Sequence, residues 1–139
     1  MVRSWKRRGV RGPAVVLDLL HQRVAATLPR SWFQRLVSRV LLARGIQMID
    51  EYRVHDTDGT LLAELDLAIP ELRIGIECQS WRWHGSPAAQ AADARRKRRL
   101  RLLGWEIVDV WWSDLRRGDE IAEEVVYLTT RRLAERPLP

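Results

Sequence analysis

Asp66 and Glu77 stand in two short apolar runs, Glu64-Leu65-Asp66 and Ile74-Gly75-Ile76-Glu77-Cys78-Gln79, separated by Pro70-Glu71. Both runs have strand composition, so as neighbouring strands they would bring the two acids together at one end of a sheet. Ionised carboxylates are acceptor-only oxygen ligands. Two at one point are a usual means of holding a hard cation such as Mg²⁺. The plainer alternative is a pair of ordinary strand-end acids. Gln79 is the third polar position of the group. Glu64 would share a strand face with Asp66, and Glu51 lies on the preceding run. Both are weaker candidates, more simply read as exposed edge residues.

The elements that must position these residues follow from periodicity and punctuation. Residues 1–12 have no period, two glycines and a basic composition, and read as a flexible arm ahead of a single domain spanning 13–139. Pro13 suits the first turn of a helix to about Leu28, with Val16, Leu19, Leu20 and Val24 at helical spacing. Pro29 ends it. Ser31 is placed to cap a second helix, whose stripe of Phe33, Leu36, Val37, Val40 and Leu41 stops at Gly45. Met48–Val54, Leu61–Ile69 and Leu72–Cys78 read as three strands, the first two joined by a turn at Asp56-Thr57-Asp58-Gly59. Ala88–Leu103 reads as a crossover helix closed by Gly104, Trp105–Trp112 as a fourth strand, and the stretch from Asp119 as a last helix. The order α-α-β-β-β-α-β-α implies an α/β fold, a mixed four-stranded sheet flanked by helices.

Charge points toward an acidic partner. The formal net charge is +6 and the sequence pI about 10.6, and the distribution is uneven. Residues 1–48 carry ten Lys/Arg against one acid, Asp18, whereas residues 49–92 carry eight acids. The block Arg95-Arg96-Lys97-Arg98-Arg99 follows. An acidic middle flanked by basic elements suits a metal site within a phosphate-binding surface, and nucleic acid is the commonest such partner. A solvated basic surface has the same composition. No apolar run approaches the ~18 residues of a membrane span, and Ala14–Leu20 is too short for a secretory leader. The expectation is a cytoplasmic protein with no membrane contact. Cys78, the lone cysteine, reads as a buried reduced thiol.

The series Leu65-Asp66-Leu67, Ile76-Glu77-Cys78-Gln79, His84, Asp93-Ala94-Arg95-Arg96, Leu100 and Gly104-Trp105-Glu106-Ile107-Val108 resembles the bacterial endonuclease-like domains related to very-short-patch-repair endonucleases. These belong to the PD-(D/E)XK nuclease superfamily. The resemblance covers roughly residues 31–115 and implies a restriction-endonuclease-like αβββαβ core, here with an extra N-terminal and a C-terminal helix. It implies Asp66 and Glu77 as metal carboxylates, the Cys78 backbone carbonyl as a third ligand, and catalytic roles for Gln79 and His84. Gln34, Asp93 and Arg96 would be auxiliary. The implied cofactor is Mg²⁺ or Mn²⁺, the implied substrate DNA, and a protein partner stays open.

Two departures bear on activity. Gln79 stands where the superfamily has lysine and this subgroup often aspartate. Gln34 stands where relatives carry glutamate. An amide can orient a water or ligate a metal but is no general base near neutral pH. The resemblance therefore leaves two readings: a metal-dependent endonuclease weakened by these amides, or a catalytically impaired nuclease fold that binds DNA or regulates. Arg95, Arg98 and Arg99 share a helix face by spacing and Arg96 lies apart. With Lys6, Arg7 and Arg8 of the arm, that face is a candidate DNA-backbone contact, or simply solvated. Trp81 and Trp83 could stack on a base or pack the loop.

Overall fold

The structure, a computed structural model, describes residues 30–79 and 85–137. The basic arm with Lys6, Arg7 and Arg8, the helix expected to Leu28, and Trp81, Trp83 and His84 lie outside the described residues. The elements in order are α1 (Arg30–Leu42), β1 (Ile49–His55), β2 (Leu61–Ile69), a 3-10 turn (Pro70–Leu72), β3 (Ile74–Gln79), α2 (Pro87–Leu102), β4 (Glu106–Trp111), a second 3-10 segment (Trp112–Arg117) and α3 (Gly118–Ala134). Among the described residues no helix is long and apolar enough to cross a membrane.

The sheet runs β1-β2-β3-β4. The first three strands form an antiparallel meander, and β4 joins β3 in parallel after the α2 crossover. The β1–β2 turn follows its residues: Gly59 takes φ +85°, and the Gly59 N–H donates to Asp56 O at 2.9 Å. α1 ends at Gly45, φ +75°, with the Ile46 N–H returning to Leu41 O, as a left-handed glycine allows. Ser31, read as its cap, lies within the helix. β3 begins at Ile74, later than Leu72. Pro70 starts the short 3-10 turn, and Arg73 leaves it in the left-handed region at φ 52°. Leu72 is buried there all the same, which is why its apolar side chain read as strand. Ser86 caps α2 by accepting the Ala89 N–H at 3.2 Å.

Two apolar layers hold the sheet. Phe33, Val37 and Leu41 of α1 pack with Ile121, Val125 and Leu128 of α3 against Ile74, Ile76, Cys78, Val108 and Val110. The α2 side is smaller: Val54, Ala63, Leu65 and Ala68 meet Leu100 and Trp105. Leu100 is the buried residue of α2, so this helix has little apolar surface to hold it and relies on ion pairs.

The alternation of β2 breaks at Asp66. Ala63 and Leu65 join the α2 layer, yet Leu67 joins the α1/α3 layer and Ala68 the α2 layer again. The β1–β2 register sets Glu51 opposite Asp66, between the pairs Asp50–Leu67 and Tyr52–Leu65, but those two are not a ladder pair. Glu51 takes φ 52°, a conformation that costs about 1–3 kcal/mol for a non-glycine residue. On the other side, the β2–β3 ladder ends at Leu67–Ile76. Its register would next oppose Asp66 to Glu77, so the sheet parts on both sides of Asp66 at one level.

Candidate active site

Asp66 and Glu77 are the buried charged side chains among the described residues, 7% and 5% exposed. A buried carboxylate costs several kcal/mol unless paired and hydrogen-bonded. Each has such partners. Asp66 Oδ2 accepts the Cys78 backbone N–H at 2.7 Å, so this carboxylate reaches into the gap where β2 and β3 separate. It also accepts from Nη2 of Arg30, on α1, at 2.8 Å. Glu77 is held from α2: Arg96 donates to Oε1 at 2.6 Å and to Oε2 at 2.9 Å. The two acids thus share one level of the sheet and take their counter-charges from different helices.

The Glu77 side of the site is a ring. Arg96 also donates to Asp93 Oδ1 at 2.7 Å. Lys97 Nζ lies 3.5 Å from Asp93 and donates to both oxygens of Asp109 at 3.0 Å. The Gln79 amide donates to Asp109 Oδ1 at 2.8 Å and lies 3.5 Å from Glu77 Oε2, which closes the circuit. The parallel register explains it: Glu77 and Asp109 are Cα partners on β3 and β4. The consecutive cations Arg96 and Lys97 neutralise these two side-by-side acids.

The charges shift one another accordingly. The Glu77 hydrogen bond drives the Arg96 guanidinium well above its ordinary value, against its burial. Burial disfavours the Lys97 ammonium, but the bond and charge of Asp109 outweigh it and raise its pKa. Burial likewise works against the Asp93 charge, and Arg96 and Lys97 together pull its pKa below the usual value. At Arg30 burial is outweighed by Asp66, with Cys78 and Glu77 adding, so its pKa rises. Burial, then the Asp66 charge, pushes the Cys78 thiol up to about 12. A proton-bearing, buried thiol is a poor nucleophile.

The structure therefore joins Glu77, Gln79, Asp93 and Arg96 in one hydrogen-bonded circuit, and sets Asp66, tied to Arg30 and the Cys78 N–H, at the same level of the neighbouring strand. Gln34 lies elsewhere, in a cleft of about 400 Å³ lined by Ser31, Gln34, Arg35, Ser38 and Arg39 of α1 and by Asp50 and Glu51 of β1. Arg95 and Arg98 are exposed. Arg99 is engaged instead: its guanidinium donates to Asp56 at 2.6–2.9 Å and to Thr57 Oγ1 at 3.2 Å, fastening the β1–β2 turn to α2. His84 lies outside the described residues.

Three participants were missing from the sequence reading: Arg30, Lys97 and Asp109. Arg30 carries a signal of its own, because a cation in the first turn opposes the helix dipole and asks for a specific anion. Lys97 follows Asp93 at i+4, a spacing that pairs on a helix. Asp109, between Val108 and Val110, points to the opposite face from its apolar neighbours.

Among the described residues no three His, Cys, Asp or Glu side chains form a cluster that could hold a metal ion. That does not decide against Mg²⁺, which is usually bound by one or two carboxylates completed by waters and substrate phosphates. Asp66 and Glu77 are two buried carboxylates of the type such a site uses.

Over residues 33–127 the chain matches the family model REase_MTES_1575. The uncharacterized proteins MT2308 and Rv2248 of Mycobacterium tuberculosis are each 30% identical over 113 residues, covering 81% of this chain and 41% of theirs. The chain thus spans about two fifths of the length of these curated relatives. The catalytic domain of the homing endonuclease I-Bth0305I superposes with a TM-score of 0.54 over 72% of this chain and 95% of that domain, at 15% identity, a likeness of fold. The meander, the crossover and the matched span agree, and the chain belongs to the REase_MTES_1575 family of restriction-endonuclease-like, PD-(D/E)XK-type nuclease domains.

Proposed function

We propose that this domain hydrolyses phosphodiester bonds of DNA with Mg²⁺ or Mn²⁺ held by Asp66, Glu77 and the Cys78 carbonyl, at a rate reduced by glutamine at position 79. The observation that carries this reading is the burial of two carboxylates at the level where β2 parts from β3, in a nuclease-type fold. A bound divalent cation lowers the pKa of water and balances charge on a phosphate. The protein's own groups do the rest. The Cys78 N–H and Arg30 fix the Asp66 carboxylate. Arg96, half-buried on Glu77, is a guanidinium that suits a phosphate as well as a carboxylate. Gln79, anchored on Asp109, can orient a water but cannot take its proton. Arg95 and Arg98, on the open face of α2, suit the DNA backbone. The free buried thiol accords with a cytoplasmic location.

A specific observation favours the second reading, a catalytically impaired fold that binds DNA. Both carboxylates are already charge-balanced by Arg30 and Arg96, so a cation must compete with guanidiniums. Plasmid cleavage in Mg²⁺ or Mn²⁺, beside an Asp66→Asn/Glu77→Gln protein, tests the choice. Cleavage lost in the variant supports the enzyme. Equal cleavage in both removes the site, and binding without cleavage by the wild type leaves the binding module.

A further inference from the structure

The cleft between α1 and β1 has a chemistry the Asp66/Glu77 site does not use. Ser31, Gln34, Arg35 and Ser38 recur at i, i+3, i+4 and i+7, a polar stripe beside the buried stripe of Phe33, Val37 and Leu41. Arg35 and Arg39, four residues apart, place two guanidiniums on this wall. Asp50 and Glu51 place two carboxylates on the other. Opposite charges facing each other across one cleft ordinarily pair, yet among the described residues none of these four side chains makes an ion pair or a hydrogen bond. The space between them, about 400 Å³, is of the size that small-molecule sites occupy.

The position is equally particular. The cleft's acidic wall is the point where β1 departs from the β2 ladder, Glu51 at φ 52° opposite Asp66. Glu51 thus stands on the strand beside Asp66, and Arg30, which holds that carboxylate, belongs to the same helix that forms the other wall.

We infer that this cleft is a nucleotide subsite: Arg35 and Arg39 take a phosphate, and Asp50 and Glu51 accept from a base that carries an exocyclic amino group. Guanidiniums are the side chains suited to phosphate oxygens. Carboxylates accept from base amino groups as they do from cytosine N4. Thymine, with carbonyl oxygens where the others carry an amine, meets the acidic wall with repulsion. Ser31, Ser38 and Gln34 supply neutral donors and acceptors between the charged ends. Gln34 therefore belongs to substrate recognition in this chain and not to metal binding. The assignment of the ligand as one nucleotide of a DNA substrate rests on the nuclease reading, while its binding does not.

The test is a titration of the ¹⁵N-labelled full chain with dCMP, dAMP, dGMP and dTMP separately, followed by amide shifts, with inorganic phosphate as the control. The expected result is a set of shifts along α1 and at Asp50 and Glu51, with at least one amino-bearing nucleotide binding about tenfold more tightly than dTMP. Arg35→Ala/Arg39→Ala should abolish binding of all four, and Asp50→Asn/Glu51→Gln should erase the preference over dTMP while keeping phosphate contact. Repeating the titration in Asp66→Asn/Glu77→Gln separates the two proposals, since the cleft should bind there unchanged whether or not the domain cuts DNA. Equal affinity for all four nucleotides, shifts confined to other surfaces, or no shifts at millimolar nucleotide overturns the assignment.

Discussion

Arg96→Met isolates what Arg96 does for Glu77. The Glu77 side chain is 7% accessible and both its oxygens rest on Arg96. Removing one partner of a buried pair leaves an uncompensated charge, which costs about 3–5 kcal/mol. The lower end applies, because Arg96 is itself 26% accessible and the Gln79 amide stays near Glu77. The expected loss is therefore about 3 kcal/mol. Glu77→Gln should cost less, about 1 kcal/mol, since Arg96 keeps Asp93 and some water. The double variant should show a coupling of about 1.5 kcal/mol or more. Urea denaturation at constant m-value measures all three. Mg²⁺ gives a second readout: with Glu77 released from its guanidinium, the Arg96→Met protein should gain more stability from the ion than the wild type, approaching about 2.7 kcal/mol at a hundredfold excess over Kd. An Arg96→Met protein within about 0.5 kcal/mol of wild type would refute the reasoning. So would Glu77→Gln costing more than Arg96→Met.

Other substitutions and titrations address the rest of the scaffold. A Cβ at Gly75 would stand 2.6 Å from Leu65 Cδ1 and 3.0 Å from Ile107 Cδ1, so Gly75→Ala should cost about 1–3 kcal/mol; an unchanged denaturation midpoint would show that this face has room. The Cys78 thiol, raised from 9.0 to about 12, should resist a disulfide reagent in the native protein. Its proton is retained by the fold and lost by the unfolded chain, so stability should fall as the pH rises from about 9 toward 12; fast native-state labelling near pH 8 would contradict both. Arg99 and the Thr57 N–H hold Asp56 down from 3.8 to about 2. The stability this gives is present above pH 3.8 and lost as the pH falls through about 2. Thermal midpoints across that range should flatten in Asp56→Asn, and an identical acid limb in the variant would count against the latch.

Local chemistry was legible in the sequence; distant partners were not. The Leu61–Ile69 strand and the Asp56–Gly59 turn follow from apolar composition and turn residues that act within a few positions. The shared level of Asp66 and Glu77 follows too, because a tight antiparallel return fixes register over a short span. Even the odd spacing of Arg96 among its neighbours was meaningful, since that residue turns to the sheet. Arg99 shared the spacing of Arg95 and Arg98, but its partner Asp56 lies 43 residues away. Periodicity carries no information about such a contact. The same holds for Arg30, 36 residues from Asp66, and for Asp109, whose position beside Glu77 depends on a parallel register set only when β4 docks.

The connection between β2 and β3 has a consequence for the order in which the molecule assembles. Asp66 and Glu77 are brought level by a short local return, whereas Arg96 and Arg30 arrive from 19 and 36 residues away. Contacts of small sequence separation close at lower entropic cost. The meander can thus form while its two acids still lack their cations, and their repulsion resists the next step. Substitutions in the Pro70–Leu72 return should then act mainly on the folding rate, and those at Arg30 and Arg96 mainly on the unfolding rate. The counter-charges set the lifetime of the native fold, and the return sets how quickly it is reached.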